Sequence, residues 1–156
     1  MNSPSFSIII DTREKTPWEF DSSSILNIEY RKLDTGDYSI VGLEDKLCIE
    51  RKMSATEIAA NVHQKRFAAE LERMLKYKYR YIIIESNMFK IVNYPLYENI
   101  PPKIRKKIRV NGHYLLRCID RIRVKYGVDV IFADTPEYGM WIATNIMKEV
   151  VNIENG

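Results

Sequence analysis

The sequence predicts an α/β domain in which a mixed central sheet is flanked by helices. Its first half carries short β-branched segments typical of strands, such as Ile8-Ile9-Ile10. Its second half alternates between helical and strand periodicity, as expected when helices pack on the faces of a sheet. The length of 156 residues fits one domain, which we assign to residues 1–156.

Four strands are predicted before residue 53. The second alternates Ile28 and Tyr30 with polar neighbours, which is the period of a half-buried strand. The third and fourth flank a polar connection over residues 42–46 that contains Gly42, as in a hairpin. The predicted strand ranges are 7–11, 28–33, 38–41 and 47–52.

From residue 54 the apolar spacing becomes helical. Ser54 and Glu57 match a capping box, and a break is predicted at His63-Gln64 before the helical spacing resumes. Residues 86–99 are predicted to be irregular, and Asn111-Gly112 is expected to end a short helix over 103–110. The remaining elements are a strand over 80–85, a helix with Leu115, Ile119 and Ile122 on its apolar face, a strand over 128–133 and a helix over 136–151.

Composition excludes several classes of protein. Hydrophobic residues make up 46% and charged residues 29% of the chain, which is the balance of a globular protein. The aliphatic runs are far too short to cross a bilayer, and residues 1–4 lack the plan of a signal peptide. Cys48 and Cys118 favour reduced thiols over a disulfide. We therefore expect an intracellular protein, in a prokaryotic or virus-infected cytoplasm or in a nucleus, with no membrane partner.

The formal net charge of +3 conceals an uneven distribution. Residues 100–125 contain nine basic residues and one acid, Asp120, so this segment carries +8 and the remainder carries −5. A basic segment in a near-neutral chain is typical of a surface that binds polyanions. A solvated helix face would have the same composition.

Two carboxylates and one ammonium are predicted to converge at a strand end. Asp37 begins the third strand, and Glu50 and Lys52 share one face of the fourth because strand side chains alternate. Such oxygen ligands suit Mg²⁺, for which Mn²⁺ can substitute, and the ion would polarise a phosphodiester. The spacing resembles that of the PD-(D/E)xK nucleases. A turn aspartate beside a surface salt bridge would show the same spacing.

Three blocks occur in a fixed order: Ile10-Asp11-Thr12-Arg13-Glu14, Thr35-Gly36-Asp37-Tyr38 and Ile49-Glu50-Arg51-Lys52. In order and spacing they resemble the nuclease domain of the XPF/Hef family of structure-specific endonucleases. The resemblance implies a restriction-endonuclease-like core. It also implies a catalytic site made of Asp11, Arg13, Glu14, Asp37, Glu50, Arg51 and Lys52.

Within that site the resemblance implies that Asp37 and Glu50 bind the metal, that Asp11 also contributes and that Lys52 is the catalytic lysine. For Arg13 and Arg51, salt bridges that orient neighbouring carboxylates are the alternative role. The family pattern further implies that Arg66, on the following helix, contacts backbone phosphate.

The sequence departs from the family pattern at three points. Thr56 stands where the family has an aspartate after its lysine, and Glu70 stands where it has a glutamine. We also expect no helix-hairpin-helix domain of the kind that binds DNA in the family. Phosphate contacts are therefore expected from the basic segment, at Lys103, Arg105, Lys106, Lys107 and Arg109.

Together these features predict a divalent-metal-dependent endonuclease that acts on fork, flap or junction DNA in repair or recombination. The alternatives are a catalytically inactive DNA-binding or scaffolding subunit of the same fold, a same-fold nuclease acting on plain duplex, and a phosphoesterase acting on small molecules. The resemblance also implies a homodimer or heterodimer formed through the nuclease domain. The apolar faces of the last two helices would serve either that contact or the core.

Overall fold

The computed structural model describes residues 3–156. Met1 and Asn2, which belong to the segment that lacks the plan of a signal peptide, lie outside the described residues. Six strands form one sheet: β1 (Phe6–Ile10), β2 (Ile25–Tyr30), β3 (Tyr38–Ile40), β4 (Leu47–Lys52), β5 (Tyr79–Ile84) and β6 (Asp129–Phe132). Six helices accompany them: α1 (Ala55–Asn61), α2 (Lys65–Met74), α3 (Met88–Val92), α4 (Pro102–Arg105), α5 (Gly112–Tyr126) and α6 (Pro136–Asn155).

The sheet is mixed and has the strand order β2-β1-β3-β4-β5-β6. β3 lies antiparallel to both β1 and β4, whereas β4, β5 and β6 run parallel to one another. The β3–β4 hairpin aligns Tyr38 with Ile49, which brings the start of β3 beside the end of β4. The predicted α/β class, with a mixed sheet flanked by helices, is confirmed.

A separate apolar core covers each face of the sheet. On one face, α1, α2 and α5 pack against Ile82 and Ile84. On the other, α6 packs against Ile83 and the first strand. Ile82 and Ile84 point away from Ile83 because side chains alternate along β5. Each core therefore takes one set of residues from the same strand.

The helix boundaries mostly follow their sequence signals. The Ser54 hydroxyl accepts a hydrogen bond from the Glu57 N–H at 3.1 Å, and the Glu57 carboxylate accepts from the Met53 N–H at 3.3 Å. The helix then breaks between Asn61 and Lys65, as predicted. Gly127 closes α5 with a φ of 61°, in the left-handed region that glycine adopts without strain.

Several boundary predictions were wrong. The second strand, β2, spans Ile25–Tyr30 instead of 28–33, and the short helix α4 ends at Arg105 instead of 110. Residues 88–92 form α3 within the segment predicted to be irregular, and the Asn87 side chain caps it. Asn111-Gly112 does not end a helix but begins α5, because the Asn111 side chain accepts from the Tyr114 N–H at 2.9 Å. Position 112 needs glycine because a Cβ there would overlap the Val92 carbonyl.

The apolar face of α5 belongs to the core of the chain itself. Leu115 and Ile119 are fully buried and Ile122 is 4% exposed. The apolar face of α5 therefore serves the core and not an intermolecular contact. On α6, Tyr138 and Trp141 remain about half exposed. Within residues 3–156, no helix combines the length and apolar character needed to cross a bilayer.

Candidate active site

The predicted carboxylates meet where β1 ends, β3 begins and β4 ends. Gly36 precedes Asp37 with a φ of +87°, and a Cβ at Gly36 would lie 2.8 Å from the Cys48 sulfur, so the turn needs glycine. The Asp37 N–H donates to the Ile49 carbonyl at 2.8 Å, and the Asp11 N–H donates to the Asp37 carbonyl at 2.8 Å. These bonds fix Asp37 between the two strands that carry Asp11 and Glu50.

Glu50 and Lys52 lie on one face of β4, as the alternation predicted. The Lys52 Nζ is 3.8 Å from Glu50 Oε1, and both side chains are about nine-tenths buried. The Lys52 ammonium also lies 5.1 Å from the centre of the Phe67 ring of α2. Burial lowers the pKa of Lys52 below its usual value, while the charges of Glu57 and Asp37 partly oppose the shift.

Asp37 and Glu50 line one cavity of about 260 Å³. Burial raises the pKa of Asp37, and the Arg51 N–H, which donates to Asp37 Oδ2 at 2.8 Å, partly offsets that effect. Within residues 3–156 no side-chain or backbone donor is hydrogen-bonded to the Glu50 carboxylate. The other lining residues are Asp11, Arg13, Asp34, Thr35, Gly36, Arg66, Glu70 and Arg73.

This pair of carboxylates has the donor chemistry that a divalent cation needs. Mg²⁺ is usually bound by one or two carboxylates together with water and substrate phosphate. Asp37 and Glu50 supply those two, and both line the cavity, with the Lys52 ammonium 3.8 Å from Glu50 as the nearest protein cation to that carboxylate. No group of three His, Cys, Asp or Glu residues in the described part of the chain forms a metal site by itself. Two protein carboxylates would leave the other ligand positions of such an ion to water and substrate phosphate.

Asp11 is already engaged in the protein. Arg13 donates to it through its backbone N–H and its guanidinium, at 2.7 Å for the shortest bond, and the Leu33 N–H donates to its Oδ1 at 2.7 Å. Burial alone would raise the pKa of Asp11, but these donors lower it below its usual value. The geometry therefore shows Arg13 in the carboxylate-orienting role and gives Asp11 no free oxygen. The assignment of Asp11 as a metal ligand stays a prediction.

Glu14 and Arg51 lie on the opposite face of the sheet from Glu50 and Lys52. The Arg51 guanidinium binds both oxygens of Glu85, at 2.8 and 3.0 Å, and the Thr16 carbonyl at 2.6 Å. Glu14 is 3.8 Å from Arg51 and outside the cavity. The side chain of Arg51 thus has the orienting role, with Glu85 as its main partner, and only its backbone faces Asp37.

Sequence reasoning missed two residues behind the site. Glu85 is 6% exposed and accepts from the Trp18 indole N–H at 2.6 Å, as well as from Arg51. Trp18 in turn stacks on Tyr38 with ring centres 4.5 Å apart. An acid directly after an apolar strand was the only available signal for Glu85.

The helix α2 places three charged residues at the cavity. Arg66 lines it and is exposed, as expected of a residue that contacts phosphate. Arg73, which the sequence analysis did not single out, also lines it and donates to the Thr35 hydroxyl at 3.1 Å. Burial, followed by the nearby charge of Asp37, raises the pKa of Glu70 to about 7.

The basic residues of the segment 103–109 do not line the cavity. They lie in α4 and in the residues that follow it. The chain just before α4 contacts α1, where the Thr56 N–H and hydroxyl donate to the Glu98 carboxylate at 2.9 Å. Arg105 is half-buried and donates to the Ile100 carbonyl at 3.2 Å. The other four, Lys103, Lys106, Lys107 and Arg109, are exposed. A role in DNA binding stays a prediction for all five.

The mixed sheet and its helices define an α/β domain with the restriction-endonuclease-like core of the XPF nuclease fold. Residues 10–144 match the family model described as the ERCC4 domain. The chain therefore belongs to the ERCC4 domain family, a family of DNA endonucleases, and the family expectation from the three sequence blocks is confirmed.

This fold recurs in solved structures. XPF from Aeropyrum pernix superposes with a TM-score of 0.67 at 16% identity, covering 95% of this chain and 68% of that one. The complex of XPF from Aeropyrum pernix with DNA gives 0.64 at 18% identity, covering 96% of this chain and 66% of that one. This chain thus spans about two-thirds of each structure. None of the curated proteins compared with it matches it.

Proposed function

We propose that this chain is a divalent-metal-dependent endodeoxyribonuclease that cleaves branched or flapped DNA in repair or recombination. The observation that carries the proposal is the convergence of Asp37, Glu50 and Lys52 at one edge of the sheet, in a member of the ERCC4 domain family. The structure of the XPF complex with DNA, which has the same fold, supports DNA as the ligand.

The protein groups have separate roles in the proposed reaction. Asp37 and Glu50 would hold Mg²⁺ or Mn²⁺, which supplies Lewis-acid polarisation of the phosphodiester and a lowered pKa for bound water. The Lys52 Nζ orients the attacking water and offsets negative charge as it develops on the phosphate. The water oxygen bonds to phosphorus while one P–O ester bond breaks, leaving a phosphate on one product end and a hydroxyl on the other.

The retained acidic residues and lysine favour an active enzyme over an inactive subunit. A scaffolding subunit has no need of buried, mutually adjacent charges, because burying them costs free energy unless they are paired or bind an ion. Arg66, at the cavity, and the exposed cations Lys103, Lys106, Lys107 and Arg109 would hold the DNA through its phosphates.

The test is cleavage of labelled fork, flap, four-way junction and linear duplex DNA in Mg²⁺, in Mn²⁺ and in EDTA. We expect metal-dependent cutting of the branched substrates. Asp37→Asn and Glu50→Gln should each abolish cutting with little loss of DNA binding, whereas Glu149→Gln, an exposed change on α6, should leave cutting intact.

Three results would contradict the proposal. Metal-dependent cutting by the Asp37→Asn/Glu50→Gln double variant would refute the assignment of the site. Binding without cutting by the unaltered protein would favour the scaffolding alternative. Equal cutting of linear duplex and branched DNA would remove the structure specificity.

A further inference from the structure

One face of α5 presents basic side chains to solvent. Arg117, Arg121 and Lys125 recur every four residues and are exposed, while the opposite face of the helix lies in the core. Four residues advance a helix by about 6 Å, so the three cations cover roughly 12 Å of its length. We call these three residues and Tyr114 the α5 basic face.

Within residues 3–156, no ion pair engages the basic residues of this face. The single acid of α5, Asp120, pairs with Arg123 at 2.8 Å, and Arg123 also donates to the Val130 carbonyl at 2.8 Å. Among residues 3–156, no carboxylate lies within salt-bridge distance of Arg117 or Arg121. Those two guanidinium groups are therefore available to an external anion.

Tyr114 places this face beside the turn that precedes α2, the helix that carries Arg66. Its ring stacks on His63, with centres 5.4 Å apart and planes 18° apart, and is 45% exposed. His63 lies three residues before Arg66, which lines the cavity, so the two are separated by at most about 10 Å of chain. Tyr114, Arg117 and Arg121 border a shallow depression of about 500 Å³, which the Arg123-paired Asp120 also lines.

We propose that the α5 basic face binds the phosphodiester backbone of a DNA arm that leaves the active site. The inference rests on the proposed nuclease function and adds a second binding surface to it, separate from residues 103–109. A duplex carries one negative charge per about 1.7 Å of axis, so a face about 12 Å long meets several phosphates. The stacked pair of His63 and Tyr114 adds an aromatic surface of the kind on which unpaired bases stack.

The test measures DNA binding by fluorescence anisotropy in EDTA, over a range of salt concentrations. The Arg117→Glu/Arg121→Glu variant is compared with Lys76→Glu/Lys148→Glu, which makes the same change in net charge elsewhere on the surface. With a fork whose arms are long, we expect the α5 variant to bind roughly tenfold or more weakly near 0.1 M salt. Its salt slope should fall by about 2, because about two phosphate contacts are lost.

Substrates with different arms show whether the α5 basic face binds single-stranded or duplex DNA. Forks with one single-stranded arm and forks with only duplex arms are compared for both variants and for Tyr114→Ala. If Tyr114→Ala loses affinity only for forks with a single-stranded arm, that arm lies on the α5 basic face. If Tyr114→Ala binds both kinds of fork as tightly as the unaltered protein does, the face makes phosphate contacts alone.

The outcomes separate this inference from the proposed function. If the unaltered protein binds and cuts forks but the α5 variant keeps its affinity and salt slope, the inference is overturned and the function stands. The same conclusion follows if both charge variants lose affinity equally. If the unaltered protein neither binds nor cuts any DNA, the proposed function itself fails.

Discussion

Folding buries a carboxylate at Glu70, and its removal should change how stability depends on pH. Burial and the charge of Asp37 raise the pKa of Glu70 from 4.5 to about 7, although Arg73 and Arg13 oppose the shift. A group whose pKa is higher in the folded state stabilises the fold when protonated. That stability is complete below pH 4.5 and is lost as the pH rises through 7.

The size of the effect follows from the two pKa values. A difference of about 2.5 pH units corresponds to about 3 kcal/mol, at 1.36 kcal/mol per unit. Glu70→Gln removes the ionisation. The free energy of unfolding of the variant minus that of the unaltered protein should therefore rise by about 3 kcal/mol between pH 4.5 and pH 8. A constant penalty from burying the amide is expected at every pH and does not affect this slope.

Urea unfolding in EDTA at several pH values measures the difference. Glu72→Gln, an exposed change on the same helix that removes the same charge, is the matched control. In an Asp37→Asn background the slope should shrink, since one cause of the shift is removed. A Glu70→Gln difference that is constant from pH 4.5 to pH 8 would refute the reasoning.

Three further substitutions test other parts of the structure. Lys52→Met should reduce kcat for cleavage about a hundredfold, or ~3 kcal/mol of barrier, with DNA binding largely retained in anisotropy measurements. Trp18→Phe removes the donor to Glu85 in a buried position and should lower the free energy of unfolding by about 1–3 kcal/mol in urea. Gly112→Ala should lower the melting temperature in calorimetry because its Cβ would overlap the Val92 carbonyl, and an unchanged value would contradict that packing.

The position of the candidate site could be predicted because its residues follow local rules. Alternation along a strand places Glu50 and Lys52 on one face whatever the tertiary structure, and a hairpin is enough to bring Asp37 beside them. The structure has both features, with Lys52 3.8 Å from Glu50 and Asp37 bonded to the neighbouring Ile49 carbonyl. The three sequence blocks that indicated the family are these same local features in order.

Other features depend on contacts that sequence spacing does not specify. Asn-Gly commonly follows a helix, but at Asn111-Gly112 the need for glycine comes from the approach of the Val92 carbonyl, 20 residues earlier. Glu85 lies within hydrogen-bond distance of Arg51 because β4 and β5 are parallel neighbours in a register that pairs Lys52 with Ile84. Neither contact could be inferred before the strand order was known.

The arrangement of β4 makes the buried network and the candidate site interdependent. Arg51 lies between Glu50 and Lys52, and alternation sends its side chain to the opposite face, where Glu85 binds it. Its backbone N–H nevertheless donates to Asp37 Oδ2 at 2.8 Å. Arg51 thus contacts Glu85 through its side chain and Asp37 through its backbone. A change at Glu85 that shifts the Arg51 backbone therefore also shifts Asp37. For the proposed metal site, the expected signature of such a change is weaker metal binding without any change of charge in the cavity.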